Sequence, residues 1–247
     1  MKYRMLGRTG MSVSEIGLGT WSFASRAYGD VDQKDAEAVV QTALDGGITL
    51  FDTAPLYGTS DEDGISERIL GGALGTRRDE ILISTKFGRG SSFRNTAFDA
   101  DGVVASVEAS LGRLSTDRID VLFFHSPFGA DEIEDDVWQA LSDLKQQGKI
   151  RSVGHSISKF SDTEAMARSW FTDRSIDVVQ VVYSLMNRES TDLIRDLGQA
   201  GAGVFARESL GNGFLSGAIT RETVFPQNNL NKRHDQDEME TRIKYVN

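Results

Sequence analysis

Four residues between positions 52 and 125 are of types that together can deliver a proton to a carbonyl. They are Asp52 and Tyr57 in "LFDTAPLYG", Lys86 in "ISTKFG" and His125 in "LFFHSP". An unperturbed phenol titrates near pH 10, too high to exchange protons readily at neutrality, and a neighbouring ammonium favours its ionised form. Lys86 supplies that ammonium. Burial in an apolar mouth would strip a lysine of its proton, so a partner carboxylate is needed, and Asp52 is the candidate. A neutral imidazole at His125 can then orient a carbonyl oxygen beside the Tyr57 hydroxyl, where negative charge develops on reduction. The set lacks only a hydride donor. Each residue alone has a plainer reading: Asp52 as a cap, Lys86 as an ordinary strand-end lysine, His125 as a hydrogen-bonded core histidine, Tyr57 as packing in a Gly/Pro turn. Their joint occurrence carries the chemistry. A Schiff-base role for Lys86 is the rival, and pairing with Asp52 opposes it by keeping the amine protonated.

These residues need a frame that brings distant positions to one place. Short apolar or β-branched runs alternate with amphipathic segments of helical period. "EIGLGT", "ITLFDT", "EILISTK", "DVLFFHS", "IRSVGHS", "DVVQVVY" and "GVFAR" read as seven strands. "DAEAVVQTALDGG", "ISERILGGAL", "DGVVASVEASLGRL", "VWQALSDLKQQGK", "DTEAMARSW" and "TDLIRDLGQAG" read as the helices between and after them, and several end in Gly. A hairpin, "YRML" turning through "GRTG" into "SVSEIGLG", precedes the series.

Such repetition builds either an open doubly wound sheet or a (β/α)8 barrel. The first strand ends "GLGTW", with none of the G-x-G-x-x-G that a doubly wound dinucleotide-binding sheet carries there. Instead, a polar or ionisable residue ends strand after strand: Asp52, Lys86, His125, Ser156, Gln180 and Arg207. In a barrel these converge on the face where active sites lie. One barrel domain over residues 1–247 is expected, the last 30 residues, from "AITRETVFPQNN", being polar and irregular.

Composition narrows the partners. The 247 residues carry a net charge of −10, so nucleic acid or an anionic membrane would have to bind against the global field, and a small-molecule partner is expected. The absence of cysteine excludes disulfides, thiolate nucleophiles and cysteine-ligated metals. No run reaches the roughly 18 apolar residues of a membrane span, and the N-terminus lacks a signal-peptide core, so a cytoplasmic protein is expected. No Asp, Glu and His set has metal spacing, and no metal is expected. The acidic run "DEIEDD" (131–136) reads as the solvated start of a helix, "GGALG" as a closely packed helix end, His155 as packing behind the barrel wall and His234 as part of the polar tail.

In order and in spacing, "YRMLGRTGMSVSEIGLGTW", "FDTAPLYG", "ISTKFG", "DVLFFHSP" and "GKIRSVGHS" resemble the successive signatures of the aldo-keto reductases over nearly the whole chain. The resemblance implies a (β/α)8 barrel, a nicotinamide cofactor bound without a Rossmann fold (NADPH ahead of NADH), a small carbonyl substrate, and a catalytic tetrad on Asp52, Tyr57, Lys86 and His125. It also implies cofactor contacts at Thr20, Trp21, Asp52, Ser156, Gln180 and the segment Arg207, Glu208, Ser209, Leu210, Gly211 and Gly213. Ser156 and Gln180 would take the carboxamide, and the backbone of 209–213 the pyrophosphate. Trp21, Phe87 and Phe128 would line the substrate mouth with Tyr57 and His125.

Four positions depart from the family pattern. Ile157 follows Ser156, Arg207 replaces a stacking aromatic, Glu208 a small residue, and Ala218 a lysine. A carboxylate at 208 must be turned away from a pyrophosphate or neutralised, and Arg233 is the cation expected to compensate it. A closed barrel needs eight strands, so the resemblance further implies that the last βα unit is missing. The expectations that follow are unpaired edges on the first and seventh strands, weak and poorly selective NADPH binding, and self-association. The alternative functional reading is a dinucleotide-binding sensor with little turnover.

Overall fold

The computed structural model describes residues 1–24, 28–59, 61–90 and 96–246. Strands β1 (Tyr3–Met5) and β2 (Ser12–Ser14) pair antiparallel as the expected hairpin. Seven parallel strands follow, in sequence order across one sheet: β3 (Leu18–Gly19), β4 (Leu50–Asp52), β5 (Leu82–Phe87), β6 (Ile119–His125), β7 (Ile150–Ser156), β8 (Val178–Val182) and β9 (Gly203–Arg207). The sheet curls into a half-barrel, with β3 and β9 as its edges among the described residues. Each strand falls on a segment expected from sequence, β5 and β6 running one residue beyond theirs at Phe87 and Ile119, although β3 contributes only two residues.

Six helices occupy the expected segments: α1 (Gln33–Asp45), α2 (Ile65–Leu74), α3 (Ala100–Leu114), α4 (Val137–Gln146), α5 (Phe160–Asp173) and α6 (Thr191–Gln199). Their starts are coded locally where an aspartate accepts a backbone N–H. Asp32 caps α1 through the N–H of Lys34, and Asp99 caps α3 through that of Gly102. A seventh helix, α7 (Gln236–Val246), corrects the reading of the tail as irregular. Its Ile243 is buried, while His234 just before it lays its ring edge-on to Phe214 with centroids 5.9 Å apart. His234 is therefore packed rather than solvated.

Strand alternation sorts side chains onto two faces. Leu50, Leu82, Val121, Phe123, Val178 and Phe205 fill the inside of the curl together with Leu6, Met11 and Val13 of the hairpin region. The opposite parity, with Phe51, Ile83, Phe87, Leu122, Phe124, Val153, Val179 and Val181, packs against the helices. The hairpin passes close beneath β9. Gly7 has φ +51°, and a Cβ there would stand 2.3 Å from the backbone nitrogen of Gly203, so only glycine fits. Inside, Gly154 of β7 leaves the space that the Phe123 ring fills, since a Cβ would lie 2.3 Å from that ring.

Beyond β9 the chain reaches back to the loop after β3. Tyr28 and Asn229 form an antiparallel bridge, and the Asn228 amide donates to Asp30 at 2.9 Å. The Tyr28 hydroxyl donates to Asn212 at 3.1 Å, so segments following the two edge strands are tied to one another.

Candidate active site

The inward parity places a set of polar side chains at the C-terminal ends of the strands. Asp52 ends β4, and its Oδ1 accepts from the Ser84 hydroxyl of β5 at 2.6 Å. Lys86, two residues beyond Ser84 on the same face, is buried. Its Nζ donates to Asp52 Oδ2 at 2.8 Å, to the Thr53 carbonyl at 2.8 Å and to the Tyr57 hydroxyl at 3.1 Å. All three ammonium hydrogens thus have acceptors. Tyr57 sits in the turn after β4, its N–H bonded to the Ala54 carbonyl and its own carbonyl accepting from Ser66 of α2. The Ser66 hydroxyl in turn donates to the Thr20 carbonyl, which ties α2 to the loop after β3. His125 ends β6, its ring edge-on to Tyr57 with centroids 6.1 Å apart. The sequence expectation that these four residues meet is fulfilled.

The electrostatics refine that expectation. Burial alone would push the Lys86 pKa down, but Asp52 and Tyr57 together outweigh it, and the net shift is upward. Lys86 is a cation here. Burial of the Tyr57 hydroxyl raises its pKa above the ordinary value, and the pull of Lys86 only partly offsets this, with Asp52 pushing the same way as burial. This corrects the simple idea of a phenol tuned downward. Tyr57 therefore holds its proton firmly. Burial is also the leading reason that His125 lies well below 6.5, reinforced by the charges of Lys86, Arg207 and Arg89. Its imidazole is neutral at physiological pH.

The residues expected around a cofactor fall on the other half of the same face. Ser156 of β7 and Gln180 of β8 are buried neighbours, the serine hydroxyl donating to Gln180 Oε1 at 3.2 Å. Arg207 of β9 donates from Nη2 to the Ile157 carbonyl at 3.1 Å and from Nη1 to Glu208 at 2.7 Å. Glu208 also accepts from the Asn212 amide at 3.2 Å. The carboxylate is therefore neutralised from within its own loop. The expected compensating cation, Arg233, is exposed and forms no ion pair with Glu208, although the charges of both are felt at Tyr28. Ser209 turns its hydroxyl back to the Ala206 carbonyl at 3.1 Å, and Leu210 is exposed. Gly211 and Gly213 both have positive φ, +57° and +97°, as do Glu208 and Asn212.

The mouth is only partly as expected. Trp21 stacks on Tyr57 with centroids 6.2 Å apart and meets Tyr28 edge-on at 5.9 Å. Phe128 is 55% exposed. Phe87, in contrast, is 1% exposed and lies behind the sheet among Phe98, Phe124 and Val103. It follows Lys86 immediately and so has the opposite parity, which removes it from the mouth. Two residues that sequence reasoning passed over join the site. Tyr28 borders Trp21, and the only sequence signal for it is an aromatic beside a turn glycine in "RAYGD". Arg89 packs against the loop after His125 and pairs with Glu132 at 2.7 Å, so the acidic run 131–136 is not solvated throughout.

A sequence model of the Aldo/keto reductase family matches residues 15–246. The chain belongs to that family. It is 32% identical over 254 residues to Aldo-keto reductase YhdN of Bacillus subtilis (strain 168), with 99% of this chain and 72% of that protein covered. It is 32% identical over 247 residues to the NADH-specific methylglyoxal reductase of Escherichia coli (strain K12), with 91% and 72% covered. Among solved structures, the glycerol dehydrogenase AKR11B4 from Gluconobacter oxydans superposes with a TM-score of 0.79 at 28% identity, covering 99% of this chain and 74% of the other. Membership makes the chain an oxidoreductase of the class that reduces carbonyls with a nicotinamide cofactor.

The residues present suit such a cofactor. Ser156 and Gln180 offer adjacent buried hydrogen-bonding groups of the kind an amide requires. Thr20 Oγ1, just beyond β3, and Arg207 Nε, at the end of β9, are buried and without a hydrogen-bond partner at the two edges of the sheet. Among the described residues, no helix is long and apolar enough to cross a membrane.

Proposed function

We propose that the protein reduces the carbonyl of a small aldehyde or ketone to an alcohol, with Tyr57 as general acid, His125 orienting the carbonyl, and NADPH as donor in preference to NADH. The observation that carries this reading is the three-way contact of Lys86 with Asp52, Thr53 and Tyr57. A protonated lysine 3.1 Å from a phenol stabilises the phenolate at the moment the proton leaves, while adding nothing to ground-state substrate binding. Asp52 holds Lys86 in its charged form and points it at Tyr57. The neutral His125 ring, fixed across from Tyr57, presents a polar edge to the carbonyl oxygen without introducing a second acid. Ser156, Gln180, Thr20 and the Arg207–Gly213 segment would hold the cofactor, with Trp21 and Phe128 walling the mouth. When bound, the nicotinamide supplies the hydride. Arg207 takes up Glu208, so that carboxylate does not stand bare beside a phosphate.

The test is Tyr57→Phe, which removes the transferable proton and leaves the ring. Oxidation of NADPH by aldehydes, ketones and sugars should fall by about 10²- to 10⁴-fold. Cofactor affinity, read by quenching of tryptophan fluorescence, should stay within about twofold. Turnover at the wild-type rate in Tyr57→Phe would refute the mechanism. Running NADPH and NADH in parallel decides the donor, and a relative named as NADH-specific makes that comparison necessary.

A further inference from the structure

His125 does not hold itself in place. It begins a four-residue loop, His125 to Phe128, in which Ser126 has φ +52°, a left-handed conformation that a non-glycine residue keeps only when its surroundings impose it. Each residue of the loop has a backbone group gripped by a side chain from elsewhere. The His125 carbonyl accepts from Arg89 Nε at 3.3 Å, and the Ser126 carbonyl from Arg89 Nη2 at 2.9 Å. The Pro127 carbonyl accepts from Ser158 Oγ at 2.9 Å, and the Phe128 N–H donates to Glu132 Oε2 at 2.8 Å. That same carboxylate oxygen receives Arg89 Nη2 at 2.7 Å, which closes the circuit. The exposed Phe128 ring lies over the Arg89 guanidinium at 4.2 Å, with Phe98 at 5.3 Å.

Burying the Arg89 guanidinium against a half-buried Glu132 carboxylate is costly and contributes little stability over apolar packing of similar volume, so the pair argues for a geometric role. Arginine suits that role better than lysine, because its rigid planar guanidinium donates from separate nitrogens, Nε to the His125 carbonyl and Nη2 to the Ser126 carbonyl and Glu132, whereas a lysine would have to reach all three from one nitrogen on a flexible stem. We propose that Arg89 and Glu132 are positioning residues for carbonyl reduction. As a pair they latch the 125–128 loop, so that the imidazole of His125 and the ring of Phe128 keep fixed places opposite Tyr57. This rests on the carbonyl-reduction reading above. It assigns the pair no contact with the reacting atoms.

The test compares Arg89→Met, Arg89→Lys, Glu132→Gln, Glu132→Leu and the double variant Arg89→Met/Glu132→Leu, assayed well below each variant's melting temperature. A displacement of about 1 Å at a catalytic group costs up to about 10²-fold in rate. Arg89→Met and Glu132→Leu should therefore each lower kcat by about 10- to 100-fold and raise the carbonyl KM, with NADPH affinity within about twofold of wild type. Arg89→Lys should fall nearer to Arg89→Met than to wild type. Glu132→Gln should recover most of the activity, because its amide oxygen can still accept from both Arg89 and the Phe128 N–H. The double variant should lose no more than the worse single one, as members of one unit do. Amide hydrogen exchange over 125–128 should quicken in Arg89→Met while that of β5 stays as it was. A kcat unchanged in folded Arg89→Met, multiplicative losses in the double variant, or cofactor affinity falling in step with kcat would each overturn the latch. A wild-type protein that binds NADPH and reduces no carbonyl overturns the underlying reading, a result distinct from turnover that survives Arg89→Met.

Discussion

His155 gives the protein an acid limb that can be worked out from the structure. The ring is wholly buried in β7, packed on Trp170 with centroids 4.7 Å apart, and neither of its nitrogens has a hydrogen-bond partner. Burial, with no compensating acceptor, takes its pKa from 6.5 down to about 3. In the unfolded chain it titrates near its ordinary value, so between about pH 6.5 and 3 the unfolded state binds a proton that the folded state refuses. Unfolding free energy therefore rises with pH across that window, and stability falls as the solution is acidified through 6.5. At 1.36 kcal/mol for each pH unit below the unfolded pKa, the loss from this one residue is about 2 kcal/mol by pH 5. It approaches about 5 kcal/mol near pH 3, where carboxylates also contribute. Urea midpoints measured from pH 7.5 to pH 5 should show this slope. His155→Phe keeps an aromatic ring against Trp170 and removes the titration, so its acid limb should flatten by about the same 2 kcal/mol at pH 5. A variant whose midpoint falls with pH as steeply as that of the wild type would refute the argument.

Lys86→Met should lower kcat by at least about 10²-fold and move the alkaline limb of the pH–rate profile upward, since the charge that draws the Tyr57 pKa down is lost; an unmoved limb would deny Lys86 its role. Phe87→Ala should cost about 3–5 kcal/mol of stability by urea titration and leave the carbonyl KM within about twofold, as suits a core ring. A raised KM at full stability would return Phe87 to the mouth. Gly154→Ala should destabilise by about 1–3 kcal/mol, because its new methyl meets the Phe123 ring on the crowded inner face. An unchanged midpoint would show that the inside of the curl can yield.

The strands and the first six helices were legible because apolar runs, caps and glycine stops all pointed the same way along this chain. The grouping of Asp52, Lys86 and His125 on one face was legible for a related reason: each ends an expected strand run whose inward parity is set by an apolar residue two or four positions earlier, Leu50, Leu82 and Phe123. The same parity excludes Phe87 from the mouth, since Ile83, four residues earlier, faces the helices. Helix α7 was also within reach, because Met239, Ile243 and Val246 recur at helical spacing in an otherwise polar tail. What could not be read was depth. Nothing local says that burial outweighs Lys86 at the Tyr57 hydroxyl, or that one glutamate of an acidic run sits under Phe128 while its neighbours face water. Those facts depend on how loops from different strands overlie one another, and loop length and charge do not encode that.

The arrangement separates two tasks across the sheet. In the proposed mechanism proton handling belongs to β4, β5 and β6, three consecutive strands whose registers pair Asp52 with Ser84 and Lys86 with Phe123. Their geometry is fixed by bonds internal to that stretch, together with the latch from Arg89, and none of it depends on contact between β3 and β9. The groups suited to a cofactor lie on β7, β8 and β9 and, through Thr20 and Trp21, beyond β3, so they border the seam between the two edge strands. That seam is spanned above the strands by polar contacts: Tyr28 to Asn212, the antiparallel bridge of Tyr28 with Asn229, and Asn228 to Asp30. Hydrogen bonds of this kind contribute about 1 kcal/mol each, far less than a ladder of paired strands. Cofactor affinity in this chain is thus the property most exposed to perturbation along the seam, and the Asp52–Lys86–Tyr57 contact the least.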